Sequence, residues 1–413
     1  MSDVKVSVRM YRTGLGDCHL LTFTPQTGTA RHVLIDCGYF PGSRFEGITM
    51  DEIVADIAHV TGNHLDALVV THEHQDHLQG FMDEEAKFKA MDKSELWMAW
   101  TEKPGQKIVP EKRALAALGA AAAGLAFSGT EEEKDLGVSV EAMLGFSQGT
   151  DAAFETVKSW FPAKACKYWN PGDAFEPEWL PGVRVYVLGP PKNLAMLEKT
   201  TGKKNSEMYE LTAQNFGFAA AALQEEAPGD LSPFDSKYAR QQLSGDLAES
   251  YAADPWRRID NDWMVSASRM ALQLDSYTNN TSLVLAFELK ESGRVLLFVG
   301  DAQIGNWLSW SGLTFDDGAG GKVTAADLLK RTVFYKVGHH GSQNATLVEG
   351  GLLAMTSGAL HAAIPINETW ALNSKKWVMP NARLFTELKK RCVAPVMRAD
   401  QPGANPLFVE FDI

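Results

Sequence analysis

The sequence predicts a mixed α/β protein: one core interrupted by two helical insertions. Three observations predict it. Short runs rich in Val, Leu, Ile and Phe recur in both terminal parts of the 413-residue chain and end in Gly or Asp. Between them lie two polar stretches of helical texture, at about residues 101–165 and 192–272. Finally, His- and Asp-rich motifs stand directly behind the apolar runs, where strands hand over to loops.

In chain order, Val4, Val6 and Val8 alternate with polar residues, and Gly14 and Gly16 break that run. Strands are expected at 19–24 and 32–36, the second bounded by Gly38, then a helix over 51–62 and a short buried strand over 67–71. The first insertion carries GAAAAGLAF and EEEKD, read as a helix and a solvated helix start. Strand texture returns at 182–188, closed by Gly189-Pro190-Pro191. After the second insertion come strands at 282–288, 295–299 and 333–337, then a strand at 362–366, a helix at 381–391 and a strand at 407–411. No repeat is evident, and residues 1–413 are read as a single domain.

Hydrophobic residues make up 45% and charged residues 22%, the balance of a globular chain rather than a disordered one. The formal net charge of −13 lowers the expectation of a nucleic-acid partner, since phosphate neutralisation needs a basic face, although a local basic groove could still serve one. The four cysteines, Cys18, Cys37, Cys166 and Cys392, form no CxxC pair, which argues against a zinc ribbon or a disulfide framework and for a reducing, cytoplasmic home. The start of the chain shows no signal-peptide pattern, and no apolar stretch approaches the roughly 18 residues of a membrane span, so no membrane role is expected.

The sharpest signal is Thr71-His72-Glu73-His74-Gln75-Asp76-His77. A strand ending in a tight loop can turn His72 and His74 toward one metal ion and Asp76 and His77 toward a second. Imidazole with carboxylate suits zinc, manganese or iron. Downstream, an apolar strand ends in Gly300-Asp301, where one carboxylate can bridge two cations. Another ends in Gly338-His339-His340-Gly341-Ser342. One of the paired histidines can complete the ligand set of the second metal ion while the other reaches substrate or a carboxylate behind the ligands; His339, nearer the strand end, is favoured as ligand, but the spacing does not separate the two. Asp36, closing its strand before Cys37-Gly38, could orient the 72–77 loop from behind.

Together THxHxDH at 71–77, LIDCG at 34–38, VGD at 299–301 and KVGHHGS at 336–342 resemble the metallo-β-lactamase superfamily. More narrowly they resemble the hydrolase domain of ComEC-like DNA-uptake proteins in a stand-alone form, with Gly14-Leu15-Gly16-Asp17, Asn279-Asn280-Thr281-Ser282 and Arg398-Ala399-Asp400-Gln401 as further matches. The resemblance implies an αββα sandwich with two divalent metal ions, zinc or manganese, at one sheet edge, and catalytic parts for Asp76, Asp301 and His340. It implies metal-dependent hydrolysis, first of phosphodiester bonds in a nucleotide or nucleic acid. An esterase, lactonase or thioesterase acting on a small metabolite is the alternative, and a regulatory protein working through its insertions a third. Two departures stand out. No histidine lies between His77 and His339, so Asn280 is the candidate weak ligand or substrate contact, together with Ser342, or a spare histidine (His19, His59, His64 or His361) folds in. Val378-Met379-Pro380 replaces a His-Pro of the ComEC-like pattern.

Overall fold

Two seven-stranded sheets carry the fold. In the computed structural model the described residues are 4–26, 28–106, 150–199, 277–318, 320–375, 377–401 and 403–413. The first sheet contains β1 (Lys5–Tyr11), β2 (Cys18–Thr24), β3 (Arg31–Cys37), β4 (His64–Val69), β5 (Asp92–Ala99), β6 (Cys166–Trp169) and β16 (Phe408–Asp412), in the order β16-β1-β2-β3-β4-β5-β6. The second contains β7 (Ala174–Phe175), β8 (Val183–Gly189), β9 (Val284–Leu289), β10 (Arg294–Phe298), β13 (Thr332–Lys336), β14 (His361–Ile364) and β15 (Met397–Arg398), in the order β15-β14-β13-β10-β9-β8-β7. A small hairpin of β11 (Thr314–Asp316) and β12 (Lys322–Thr324) stands apart.

The sheets face each other across a core of Val6, Val8, Phe23, Val33, Trp97, Val185, Phe287, Phe298 and Phe334, all buried. Each such side chain contributes about 1.5–3 kcal/mol on burial. The outer face of the first sheet is covered by α1 (Met50–Val60), α2 (Gln75–Asp83), α3 (Glu85–Ala90) and α4 (Thr150–Ser159). Helix α1 shows why: Thr49 and Glu52 close a capping box, and Met50, Ile53, Val54 and Ile57 set a buried stripe at helical spacing. A short α5 (Leu194–Leu197) follows β8, and on the second sheet's outer face Trp307 of α6 (Ile304–Ser309) packs edge-on against Tyr335 at 6.1 Å. The layers are helix, sheet, sheet, helix, the αββα sandwich of the metallo-β-lactamase fold.

Strands β3, β4 and β5 pair in parallel, as do β10, β13 and β14. Strands covered on both faces read as unbroken apolar runs, which is why β4 and β13 were visible in the sequence. Most elements fall within two residues of expectation. The 72–77 segment differs: it is not a tight loop alone, because α2 opens at Gln75 with His74 at its N-cap and places Asp76 and His77 in its first turn. Strand β5, DKSELWMA, went unread because only its second half is buried. Of the expected insertions, residues 107–149 and 200–272 lie outside the described residues. Among the described residues no helix is long and apolar enough to cross a membrane.

Candidate metal centre

The site gathers at the carboxyl ends of β3, β4, β10 and β13, where parallel strands release their chains into loops. Asp36, next to last in β3, has a left-handed backbone, φ 56°. Its Oδ1 accepts the Thr71 N–H at 2.8 Å, and its Oδ2 accepts the Thr71 hydroxyl at 2.7 Å and His77 Nδ1 at 2.8 Å. That bond makes Nδ1 the protonated nitrogen of His77 and leaves Nε2 for the site. The Thr71 hydroxyl in turn lies 3.0 Å from His72 Nδ1, so His72 also presents Nε2. Gly38 lets this happen: a Cβ there would run into the backbone of Asp76 and His77.

Asp301 enters from the second sheet behind Gly300, whose φ is 53° and whose missing Cβ leaves room for Ser282 and Thr71. The Asp301 N–H donates to Ser282 Oγ at 3.0 Å. Its Oδ1 accepts the His339 N–H at 3.0 Å and the Lys336 ammonium at 3.2 Å. Its Oδ2 has no hydrogen-bond partner among the described residues and stands 3.3 Å from His77 Nε2 and 3.9 Å from His340 Nε2.

His339 and His340 both adopt left-handed backbone, φ 41° and 52°. Non-glycine residues there cost on the order of 1–3 kcal/mol, and such strain concentrates at functional sites. The turn separates the two rings. His340 Nδ1 donates to the Pro365 carbonyl at 2.7 Å, and its Nε2 meets Asp76 Oδ2 at 3.0 Å. His339, half-buried, instead has Ser342 Oγ 2.9 Å from Nδ1 and Asn279 Nδ2 3.5 Å from Nε2. The structure therefore brings His340, rather than the favoured His339, to the carboxylates.

Three groups of side chains could each hold a cation, their ligand atoms within 4.8 Å of one another: His72, His77 and Asp301; Asp76, Asp301 and His340; and Asp17, Asp36 and His77. All of these residues are buried. His74 lies outside the three groups but turns Nδ1 to within 3.1 Å of His72 Nε2. Among the described residues Asp76 Oδ1, His77 Nε2 and Asp301 Oδ2 lack hydrogen-bond partners, and orphaned buried atoms within such a cluster are what a cation would satisfy.

The electrostatics agree. Burial pulls the His77 and His340 imidazoles down, yet the surrounding carboxylates, Asp301 and Asp76 foremost, outweigh it and hold both above the ordinary value. Asp76 and Asp301 are held below the usual carboxylate range against the opposing effect of burial, chiefly by His77. Burial holds His72 well down and takes His74 to about 4, so both are neutral donors at neutral pH. The donor set fits divalent cations.

Asn280 does not serve as a ligand in this arrangement. Its Nδ2 donates to the Leu197 and Lys199 carbonyls, and its Oδ1 accepts from the Gln303 and Asn306 N–H groups, so it ties α6 to the preceding chain. Asn279 is the nearer neighbour of the site. Ser342 bonds His339 and Asn344. Of the spare histidines, His64 pairs with Asp92 and His361 with the Ala359 carbonyl; His59 is exposed and His19 lies buried between the sheets. Two buried residues escaped assignment from the sequence: Asp17 and Lys336, which form an ion pair beneath Asp301. The GLGD and KVGHHGS motifs contained them, but nothing in the spacing showed that they meet.

The family model Metallo-beta-lactamase superfamily matches residues 12–90, from the end of β1 through the 72–77 segment to α3. No curated protein matches the chain. Match and fold together support a metallo-β-lactamase superfamily domain, whose members are generally metal-dependent hydrolases.

Proposed function

We propose that the protein is a binuclear metal-dependent hydrolase of phosphodiester bonds, ComEC-like and stand-alone, a single domain with insertions acting in the cytoplasm. The observation that carries the binuclear reading is Asp301: it belongs to two of the ligand groups, and Oδ2, the atom it turns toward His77 and His340, has no partner of its own among the described residues. His72, His77 and Asp301, with His74 alongside, would hold one ion, and Asp76, Asp301 and His340 the other. Zinc or manganese bound there supplies Lewis acidity and acidifies a water toward neutral pH.

The chain's own residues divide the rest of the work. Asp36, Thr71 and the Pro365 carbonyl fix which imidazole nitrogens face the centre. Asp76 Oδ1, without a partner among the described residues, is placed to accept a hydrogen bond from the attacking water. Ser342 Oγ at 2.9 Å and Gln303 Nε2 at 3.3 Å from Nδ1, with Asn279 Nδ2 at 3.5 Å from Nε2, hold the His339 ring beside the centre. Burial holds His339 below the ordinary imidazole value, so it enters the reaction neutral.

Metal content followed by turnover of bis-p-nitrophenyl phosphate with zinc, then manganese, tests the proposal. Two ions per chain, with turnover abolished in His74→Ala and Asp301→Ala, is the expected result. Bound metal with hydrolysis only of carboxylic esters or lactones would move the substrate class. A chain that binds no ion would remove the catalytic reading.

A further inference from the structure

Lys336 ends β13 with only 1% of its surface exposed. Its ammonium donates to the Gly300 carbonyl at 2.7 Å and to Asp301 Oδ1 at 3.2 Å, and it pairs with Asp17 Oδ2. Three donors thus meet three acceptors, which accounts for a buried ammonium that would otherwise be costly. Two of those three acceptors belong to Gly300-Asp301, the segment that delivers the shared carboxylate.

The consequence lies in which oxygen is left. Lys336 and the His339 N–H both converge on Oδ1 of Asp301, and Oδ2 alone faces His77 and His340. Asp17 anchors the ammonium from the opposite side. Its N–H donates to the Asp76 carbonyl at 3.0 Å and its carbonyl accepts the Gly38 N–H at 2.9 Å, so the ion pair ties the first sheet's ligand loop to the second sheet's.

We propose that Lys336 is a positioning residue of the metal centre, holding Asp301 by Oδ1 so that the single oxygen Oδ2 is presented to both ion positions. The inference rests on the metal-centre reading above. Its competitor is a structural role in which Lys336 merely neutralises Asp17.

The double variant Lys336→Met/Asp17→Asn, read against Asp17→Asn alone, separates the two: it removes both charges of the pair at similar volume, and the single variant carries whatever Asp17 itself contributes among the ligand groups. Fold is read by far-UV circular dichroism, ion binding by calorimetric titration with manganese alone, and the bridge by manganese electron paramagnetic resonance. The double variant should fold, bind its second manganese at least about tenfold more weakly, as loss of an orienting partner does, and replace the spectrum of coupled ions by that of isolated ones. Wild-type affinity and coupling in the double variant, or losses that Asp17→Asn alone reproduces, would overturn the proposal. So would a double variant that does not fold, which would assign Lys336 to structure alone. Wild-type protein that binds no manganese and no zinc would instead sink the metal-centre reading itself, and this inference with it.

Discussion

The two ligand groups that share Asp301 are built differently. Asp76, Asp301 and His340 combine two carboxylates with one imidazole and draw on both sheets. His72, His77 and Asp301 combine two imidazoles with one carboxylate, and apart from Asp301 they come from one six-residue segment. The first group joins two charges to a ring already held by Pro365. The second has His74 beside it, and the chain offers no further histidine between His77 and His339. The difference teaches that a shared site need not bind two ions equally. The carboxylate-rich position should fill first, and the histidine-rich one should depend on how firmly its rings are held.

The largest effect is expected where the groups overlap. Asp301→Ala removes the shared oxygen and also strands the Lys336 ammonium, so both ions should be lost and turnover should drop at least about 10²-fold. Asp301→Asn keeps the shape and should lose nearly as much, because the amide cannot supply the charge. Metal content by mass spectrometry decides it: either variant retaining two ions would show that Asp301 is not shared.

His340→Ala against His74→Ala sharpens the comparison directly. Titrated with manganese, His340→Ala should lose the tight phase, and His74→Ala should lose only the weak one while keeping about one ion per chain. Equal losses in both variants would mean that the positions are not ranked as their donors suggest.

Asp36→Asn should act more gently and on one side. Asp36 bonds Thr71 and His77 and belongs to neither of the two groups that share Asp301, so its amide would loosen the ring of His77 and weaken the histidine-rich position by about 10–100-fold. An Asp36→Asn titration that overlays wild type would remove its orienting role.

What the sequence disclosed follows the same division. The histidine-rich half was legible because its ligands are neighbours in the chain behind an apolar strand, β4, buried on both faces. The segment's helical start at Gln75 was not, since the turn from strand to helix carries no apolar periodicity of its own. Asp301 could be proposed only because its strand end was read together with the His-rich segment, since a Gly-Asp after a strand is by itself an ordinary turn. The choice between His339 and His340 could not be made: it depends on two successive left-handed residues that turn one ring to Asp76 and the other to Ser342. Lys336 and Asp17 are 319 positions apart by their numbers (336 − 17) and meet only through the packing of two sheets, which no local pattern reports. Asn280 misled for a related reason, as its amide serves backbone groups that approach only in the fold.

The smallest effect lies away from the ligands, at His19 on β2. Its ring stands 5.9 Å from Phe298, 1% exposed, with Nε2 lacking a partner among the described residues. Burial, aided by the charge of Lys336, holds its imidazole well below the ordinary value. A histidine depressed in the folded state binds its proton more readily when unfolded, so its contribution to stability is present above about pH 6.5 and declines as the pH falls. Between about pH 7.5 and about pH 5 that decline is at most about 2 kcal/mol. His19→Leu removes both the titration and the orphaned nitrogen while refilling the space with apolar atoms. Denaturant melts at the two pH values should show the variant losing less stability than wild type on acidification, with metal content unchanged. If the two proteins lose stability in parallel, His19 is not held neutral in the fold; if the variant loses metal, His19 belongs to the centre after all and the comparison of the two ion positions must be redrawn.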